Sequence, residues 1–158
     1  MRAPNKVAHM AETVREEGAS AREAPSNCMG NINVLIVEDD EYQQSVLRVL
    51  FEKANEINDG IVYLSATMVA TGGEAMALIN DSESFDFSVV LLDLKLPGEF
   101  DGIQILQRIR ALPDGDKIGV VIASAFANVG LVARCMQLGA DAYLQKPILL
   151  QSIKLIWQ

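Results

Sequence analysis

The stretch that decides the fold is residues 32–40, INVLIVEDD, in which an apolar run ends abruptly in three acidic residues. The run is apolar at nearly every position rather than at every second one, which is typical of a parallel strand buried on both faces of a sheet. Apolar residues then follow at positions 42, 46, 47, 50 and 51, which is helical spacing. A buried strand that leads through an acidic turn into such a helix is the first half of a βαβ unit.

The same alternation repeats along the chain. We predict strands over residues 32–37, 61–70, 87–92, 118–123 and 142–144, and helices over residues 42–54, 73–79, 102–112, 129–138 and 148–157. Five strand–helix pairs predict an α/β fold, a doubly wound five-stranded parallel sheet with helices on both faces and right-handed crossovers. Gly139 is predicted to end the fourth helix, and Pro97-Gly98 marks a loop.

Length and composition indicate one globular domain. The 158 residues are 50% hydrophobic and 22% charged, with a formal net charge of −8. An acidic domain is repelled by phosphate backbones and anionic lipid, so binding to nucleic acid or membranes is disfavoured and a divalent cation is favoured. No apolar run is long enough to span a bilayer, and the N-terminus lacks the apolar segment of a signal peptide, so we expect a cytoplasmic protein.

Residues 1–30 differ from the rest of the chain. They are rich in Ala, Glu and Arg with scattered Gly, Pro and Ser, and they show no strong apolar stripe. We therefore predict a flexible N-terminal extension over residues 1–30 and a single domain over residues 31–158. The two cysteines, Cys28 and Cys135, form no metal or disulfide pattern, and Cys135 is predicted to be a small core residue.

Polar side chains stand at four of the predicted strand ends: Glu38 and Asp39 at the first, Asp93 at the third, Ser124 at the fourth and Lys146 at the fifth. Because the functional site of such sheets lies at the carboxyl ends of the strands, we expect these groups to converge. Three carboxylates in one crevice repel one another, and a bound hard cation such as Mg²⁺ removes that penalty.

This set of groups suits phosphoryl transfer. A carboxylate such as that of Asp93 can attack phosphorus and form an aspartyl phosphate, while a metal ion neutralises and orients the phosphoryl oxygens. Lys146 would do the same from the other side, and Ser124 could donate one hydrogen bond. Phosphoryl transfer needs mostly positioning and charge stabilisation, and these residues supply both.

Four stretches resemble the receiver domain of two-component response regulators, the CheY-like family: residues 34–40 (VLIVEDD), 91–98 (LLDLKLPG), 124–125 (SA) and 139–147 (GADAYLQKP). Each motif alone is a weak signal, but all four in the right order, each at a strand end, make a strong one. The resemblance covers about residues 31–157. It implies a flavodoxin-like fold with strand order 2-1-3-4-5.

The resemblance also implies a role for each acidic residue of the crevice. Asp93 would accept the phosphoryl group from a phosphohistidine on a sensor histidine kinase or a phosphotransfer protein. The Mg²⁺ ligands would be Asp93, Asp39, the backbone carbonyl of Lys95, and Glu38 through water. Asp40 is more simply explained as the cap of the first helix than as a ligand.

The remaining implied roles concern the switch. Lys146 would contact the phosphoryl group, and the Lys146-Pro147 peptide would be cis, as proline allows. Ser124 would move toward the phosphoryl group, and the ring of Tyr143 would follow it inward. The surface that changes is formed by the fourth helix, fifth strand and fifth helix, where a downstream protein partner would bind, and the chain would be a monomer or a weak homodimer.

Two features depart from the family pattern. The loop over residues 97–102 is one residue longer than the common form, and the stretch from residue 39 to residue 74 is several residues longer. The chain also ends at residue 158, so we expect a short fifth helix and an output through a partner.

Two other functions stay open beside that of a signalling domain with intrinsic autophosphorylation and autodephosphorylation activity. One is an aspartyl-phosphate phosphohydrolase of the haloacid-dehalogenase kind, which needs a second acid where this chain has Lys95. The other is a non-phosphorylated receiver-fold scaffold for protein–protein interaction. The presence of Asp93, Asp39 and Lys146 together disfavours the scaffold.

Overall fold

A computed structural model describes residues 29–58 and 60–156. In this part of the chain five strands alternate with five α-helices: β1 Asn31–Val37, α1 Glu41–Ile57, β2 Tyr63–Val69, α2 Gly72–Asn80, β3 Val89–Asp93, α3 Gly102–Arg110, β4 Gly119–Ser124, α4 Val129–Gln137, β5 Ala142–Gln145 and α5 Leu150–Ile153. Short 3₁₀ turns cover Gly115–Lys117 and Lys154–Ile156. The predicted flexible extension lies outside the described residues, except for its last two.

All five strands are parallel, in the order β2-β1-β3-β4-β5. The predicted α/β class, the doubly wound sheet and the flavodoxin-like strand order are therefore confirmed. Val37 pairs with Leu92, Asp93 with Ala123, and Ser124 with Gln145. This register brings the carboxyl ends of four neighbouring strands to the same edge of the sheet.

The core consists of two layers, one on each face of the sheet. Helices α2, α3 and α4 pack on one face, and α1 and α5 pack on the other. Alternate residues of β1 point into the two layers, Leu35 and Val37 into the first and Val34 and Ile36 into the second. Each is almost completely buried, which explains why residues 34–37 are all apolar.

Helix α1 runs to Ile57, three residues beyond its predicted end. Asn55 causes part of this difference, because its side-chain amide hydrogen-bonds to the backbone of β2 and does not end the helix. The carboxamide accepts from the Leu64 N–H at 2.8 Å and donates to the Leu64 carbonyl at 3.0 Å. The last turn of α1 is thus held against β2 by two hydrogen bonds, one donated and one accepted, as between two neighbouring strands. Helix α5 is shorter than predicted, since only residues Leu150–Ile153 are α-helical.

Arg110 ties the amino-terminal ends of β4 and β5 to the end of α3. Its guanidinium donates to the carbonyls of Gly139 and Ile118 at 2.8 Å, and also to that of Gly115. It forms an ion pair with Asp141 at 2.9 Å, and its side chain is only 18% exposed. Arg110 follows Leu106 and Ile109 of the same helix, which are completely buried in the core.

Three smaller predictions are confirmed. Cys135 is completely buried in the core, the Lys146-Pro147 peptide is cis, and Gly139 has a left-handed φ of 98° just beyond α4. Cys28 and Trp157 lie outside the described residues. Within residues 29–58 and 60–156, every helix is too short or too polar to cross a bilayer.

Candidate functional site

The turn after β1 is built so that three acidic residues have three different environments. Glu38 is buried, and its backbone N–H still donates to Val69 of β2 at 3.0 Å. Asp40 caps α1, since its carboxylate accepts from the Gln43 N–H at 2.8 Å, which confirms its predicted place as a helix cap. Asp39 stands between them and is exposed.

The carboxylates of Glu38, Asp39 and Asp93 converge at the carboxyl edge of the sheet. Each offers one oxygen atom, and these oxygens all lie within 4.8 Å of one another. Glu38 and Asp93 are buried, while Asp39 opens to solvent. Mg²⁺ is held in proteins by a few carboxylates together with several waters, so this partly open set of hard oxygen ligands fits a divalent cation.

Lys146 lies on the other side of the two buried carboxylates. Its ammonium nitrogen is 2.5 Å from Glu38 Oε2 and 2.7 Å from Asp93 Oδ2, and its side chain is 13% exposed. Burial alone would lower the pKa of Lys146, but its hydrogen bonds to Asp93 and Glu38 outweigh burial and raise that pKa. The lysine therefore stays an ammonium ion. Burial raises the pKa of Glu38 in spite of the neighbouring lysine.

Asp93 ends β3 and has both of its oxygens occupied in this arrangement. Oδ2 faces Lys146, and Oδ1 accepts from the backbone N–H of Lys95 at 3.1 Å. A small crevice that opens to solvent lies beside it and is lined by Glu38, Asp93 and Lys146, by Gln43 and by apolar side chains such as Leu91. The crevice thus presents a carboxylate to an incoming group between cationic and acidic neighbours.

Ser124 and Tyr143 are linked to each other through a third residue, Phe126. The Ser124 side chain is buried, and its Oγ accepts from the Phe126 N–H at 3.2 Å. The Tyr143 hydroxyl donates to the Phe126 carbonyl. The Lys95 ammonium lies 3.9 Å from the centroid of the Phe126 ring. Neither Ser124 nor Tyr143 hydrogen-bonds to Asp93 in this structure.

The sequence reasoning missed two residues that shape this site. Gln44 donates from its side chain to the Glu38 carbonyl at 2.6 Å, which fixes the acidic turn to α1. The sequence feature that could have identified Gln44 is its position as a polar residue on the buried face of α1, which continues with Leu47 and Phe51. Phe126 had no signal in one sequence, because an exposed aromatic residue in a loop has many explanations.

The fold and the carboxyl-edge cluster define a receiver domain of two-component signalling. The family profile of the response regulator receiver domain matches residues 34–157, and the chain belongs to this family. The predicted domain over residues 31–158 stays a prediction, because the match fixes the family and not the limits of the folded unit.

Two curated relatives show how much of each protein the similarity covers. Sporulation initiation phosphotransferase F of Bacillus subtilis is 29% identical over 126 residues, which cover 80% of this chain and 90% of that protein. A probable C4-dicarboxylate response regulator, DctR of Priestia megaterium, is 30% identical over 121 residues, which cover 77% of this chain and 48% of that protein. The chain spans less than half the length of several of its curated relatives, in one case 5%.

Solved structures give the same fold. The receiver domain of a sensor histidine kinase from Pseudomonas aeruginosa PAO1, with a magnesium ion in its active-site cleft, is 25% identical with a TM-score of 0.64, covering 81% of this chain and 95% of that one. The Mn²⁺-bound response regulator Rcp1 is 25% identical with a TM-score of 0.61, covering 79% and 88%. Metal ions are therefore bound in relatives of this fold.

Proposed function

We propose that this chain is a phosphorylation switch, in which Asp93 accepts a phosphoryl group in a Mg²⁺-dependent reaction and thereby changes a partner-binding surface. The observation that carries the proposal is the Asp93 carboxylate itself. It is buried between the ammonium of Lys146 and two further carboxylates, where a structural role alone would not require three acids. Strongly interacting ionisable groups in a crevice are characteristic of functional sites.

The chemical step is a transfer of the phosphoryl group from nitrogen to oxygen. A carboxylate oxygen of Asp93 attacks phosphorus and the O–P bond forms, while the P–N bond of the donor phosphohistidine breaks and the imidazole nitrogen keeps the electron pair. Hydrolysis of the aspartyl phosphate by water later releases inorganic phosphate and restores the carboxylate. Both steps depend on placing the phosphoryl group in line with the attacking oxygen.

The residues around Asp93 have complementary tasks in this reaction. Asp39, Asp93, the Lys95 carbonyl and, through water, Glu38 would hold the Mg²⁺. When bound, the ion supplies positive charge against the phosphoryl oxygens. Lys146 supplies the second positive charge and is already directed at Asp93, so it needs little rearrangement to contact a phosphoryl oxygen.

The switch is a biased two-state equilibrium. A phosphoryl group on Asp93 adds negative charge beside Ser124, which favours a conformation in which Ser124 turns toward it and the Tyr143 ring moves inward. A full reversal of the two populations needs about 5 kcal/mol of differential interaction. The surface that follows is that of α4, β5 and α5.

The partners follow from this reaction. The donor is a sensor histidine kinase or a phosphotransfer protein, and a downstream protein reads the surface of α4, β5 and α5. Support comes from relatives such as the hybrid signal transduction histidine kinase A of Dictyostelium discoideum, which is 30% identical over 123 residues. We propose a cytoplasmic protein that is a monomer or a weak homodimer, without nucleic-acid or membrane contacts of its own.

The test is phosphorylation by acetyl phosphate, followed by intact mass. We expect one added phosphoryl group on the wild type with Mg²⁺, and none in EDTA or in Asp93→Asn. The control Asp116→Asn changes an exposed aspartate in the 3₁₀ turn at the opposite end of the sheet, and it should be phosphorylated like the wild type. If the wild type takes no phosphoryl group and beryllofluoride causes no spectral change at Tyr143, the switch is refuted and a binding scaffold becomes the better account.

A further inference from the structure

The loop between β3 and α3, residues 94–101, is anchored at its base by a close backbone contact with Asp93. The Gly102 N–H donates to the Leu94 carbonyl at 3.0 Å and closes the loop. A Cβ atom on Gly102 would overlap the Asp93 carbonyl oxygen and lie 2.6 Å from Leu94 Cα. The base of the loop therefore requires a glycine, because it lies directly against the backbone of the proposed phosphoacceptor.

A second contact holds the same loop at Phe100, two residues before Gly102. Phe100 is half-buried and packs on the core layer of α2 and α3. Its backbone lies against Gly72, the first residue of α2, so closely that a Cβ on Gly72 would overlap the Phe100 carbonyl oxygen and lie 2.8 Å from the carbonyl carbon. The φ angle of Gly72 is not positive. Glycine is needed there for space, not for backbone conformation.

Lys95 lies between the two anchors. Its N–H donates to Asp93 Oδ1 at 3.1 Å, and its carbonyl is a proposed Mg²⁺ ligand. Because the loop is closed at Gly102 and held at Phe100, a shift at Phe100 passes into residues 95–99, the segment that begins with Lys95.

We propose that Gly72 is a positioning residue for the site. By letting the Phe100 backbone approach α2, it fixes the β3–α3 loop and so sets the Lys95 carbonyl relative to Asp93. The consequence for Mg²⁺ rests on the proposed function, whereas the effect on the loop does not. Residues around metal ligands that only orient them typically change metal affinity by about 10–100-fold when they are altered.

Two adjacent glycines provide a matched test. Gly73 follows Gly72 in the first turn of α2, but a Cβ added there would meet only Thr71 Oγ1, at 3.9 Å. Gly72→Ala should shift the amide NMR resonances of residues 94–101 and weaken Mg²⁺ binding about 10-fold or more. Gly73→Ala should do neither, although both changes replace glycine by alanine in the same helix.

A general loss of stability must be separated from a loss of positioning. Asn55→Ala removes the bonds of α1 to β2 without touching the loop, and it should lower the unfolding temperature while leaving Mg²⁺ affinity unchanged. Phe100→Ala keeps Gly72 and removes the packing of the loop on the core. It should weaken Mg²⁺ binding in the same direction as Gly72→Ala, and it serves as the test if Gly72→Ala does not fold.

The outcomes are distinguishable. If Gly72→Ala moves the loop amides no more than Gly73→Ala does, or if both Gly72→Ala and Phe100→Ala bind Mg²⁺ like the wild type, the positioning role is overturned and the proposed function stands. If the wild type binds no Mg²⁺ and accepts no phosphoryl group, the proposed function fails. The amide shifts then still decide whether Gly72 positions the loop.

Discussion

Replacing Lys146 by methionine tests the charge balance of the site. The variant keeps the length and apolar stem of the side chain and removes only the ammonium. That ammonium lies 2.5 Å from one carboxylate and 2.7 Å from the other, and the two carboxylate side chains are 3% and 11% exposed. Removing it leaves Glu38 and Asp93 buried side by side without their cation.

The expected cost follows from these distances. Each contact corresponds to about 6 kcal/mol of attraction at an effective dielectric constant of 20, but most of this is offset by the desolvation of three charged groups. Removing one partner of a buried ion pair costs about 3–5 kcal/mol. Taking the lower end, we expect the metal-free variant to lose about 3 kcal/mol of unfolding free energy at pH 7. For a domain of this size that loss lowers the unfolding temperature by about 10 °C.

The loss should depend on pH with a definite sign. Burial already raises the pKa of Glu38 above its ordinary value of 4.5, and losing the lysine raises the pKa of this carboxyl further. An acid with a higher pKa in the folded state contributes stability that is fully present below pH 4.5 and is lost as the pH rises through the folded pKa. The deficit of Lys146→Met should therefore shrink as the pH falls from about 7 to about 5.

The assay is thermal and urea unfolding in EDTA and in Mg²⁺, across that pH range. At a fixed Mg²⁺ concentration of about 100 times the wild-type Kd, binding adds about 2.7 kcal/mol to the wild type. The variant should gain more at that same concentration, because Lys146 no longer competes for the carboxylates. The control Lys117→Met removes a lysine that is 74% exposed and paired across the surface with Asp114, and it should leave stability unchanged. Undiminished stability of Lys146→Met in EDTA, or an equal deficit at both ends of the pH range, would refute this reasoning.

Three further predictions concern other contacts. Arg110→Lys should cost about 2 kcal/mol in urea unfolding, because a lysine cannot reproduce the forked bonds to three carbonyls and to Asp141; an unchanged midpoint would contradict the clamp. Asn55→Ala should cost about 1–2 kcal/mol by losing both bonds to Leu64, and it should speed amide exchange in β2 rather than elsewhere in the sheet. Ser124→Ala should still be phosphorylated by acetyl phosphate, but beryllofluoride should no longer change the spectrum of Tyr143; a preserved response would exclude Ser124 from the switch.

The sheet and the carboxyl-edge cluster could be predicted from sequence, because both depend on local sequence patterns. One rule of topology connects these patterns: the carboxyl ends of parallel strands lie at the same edge of the sheet. Four of the five strands are apolar runs with a polar residue at the carboxyl end, and the rule places those ends at one edge. Glu38, Asp39, Asp93 and Lys146 needed no further information to be brought together. The register then places them at contact distance, since Asp93 is level with Ala123 on the next strand.

The contacts that could not be predicted are those between residues far apart in sequence without a recurring pattern. Arg110 reaches the Gly139 carbonyl across 29 positions, and nothing in the sequence of α3 identifies a carbonyl as its partner. The same holds for Gly72 and Phe100. A glycine at the start of a helix is usually explained by the cap, and only the structure shows that another backbone occupies the place of its missing Cβ.

Ser124 and Tyr143, which the resemblance pairs as one switch, are linked in the structure through the backbone of Phe126. The Phe126 N–H donates to Ser124 Oγ, and its carbonyl accepts from the Tyr143 hydroxyl. In the proposed switch, a turn of Ser124 toward Asp93 would break the first bond and let Phe126 move with Tyr143. Phe126 is also held by the Lys95 ammonium, which lies over its ring, and Phe126 is 49% exposed. An exposed contact of that kind contributes only about 0.5–1 kcal/mol. That is small beside the roughly 5 kcal/mol required to reverse the switch, so the Lys95 contact can adjust the equilibrium without blocking it.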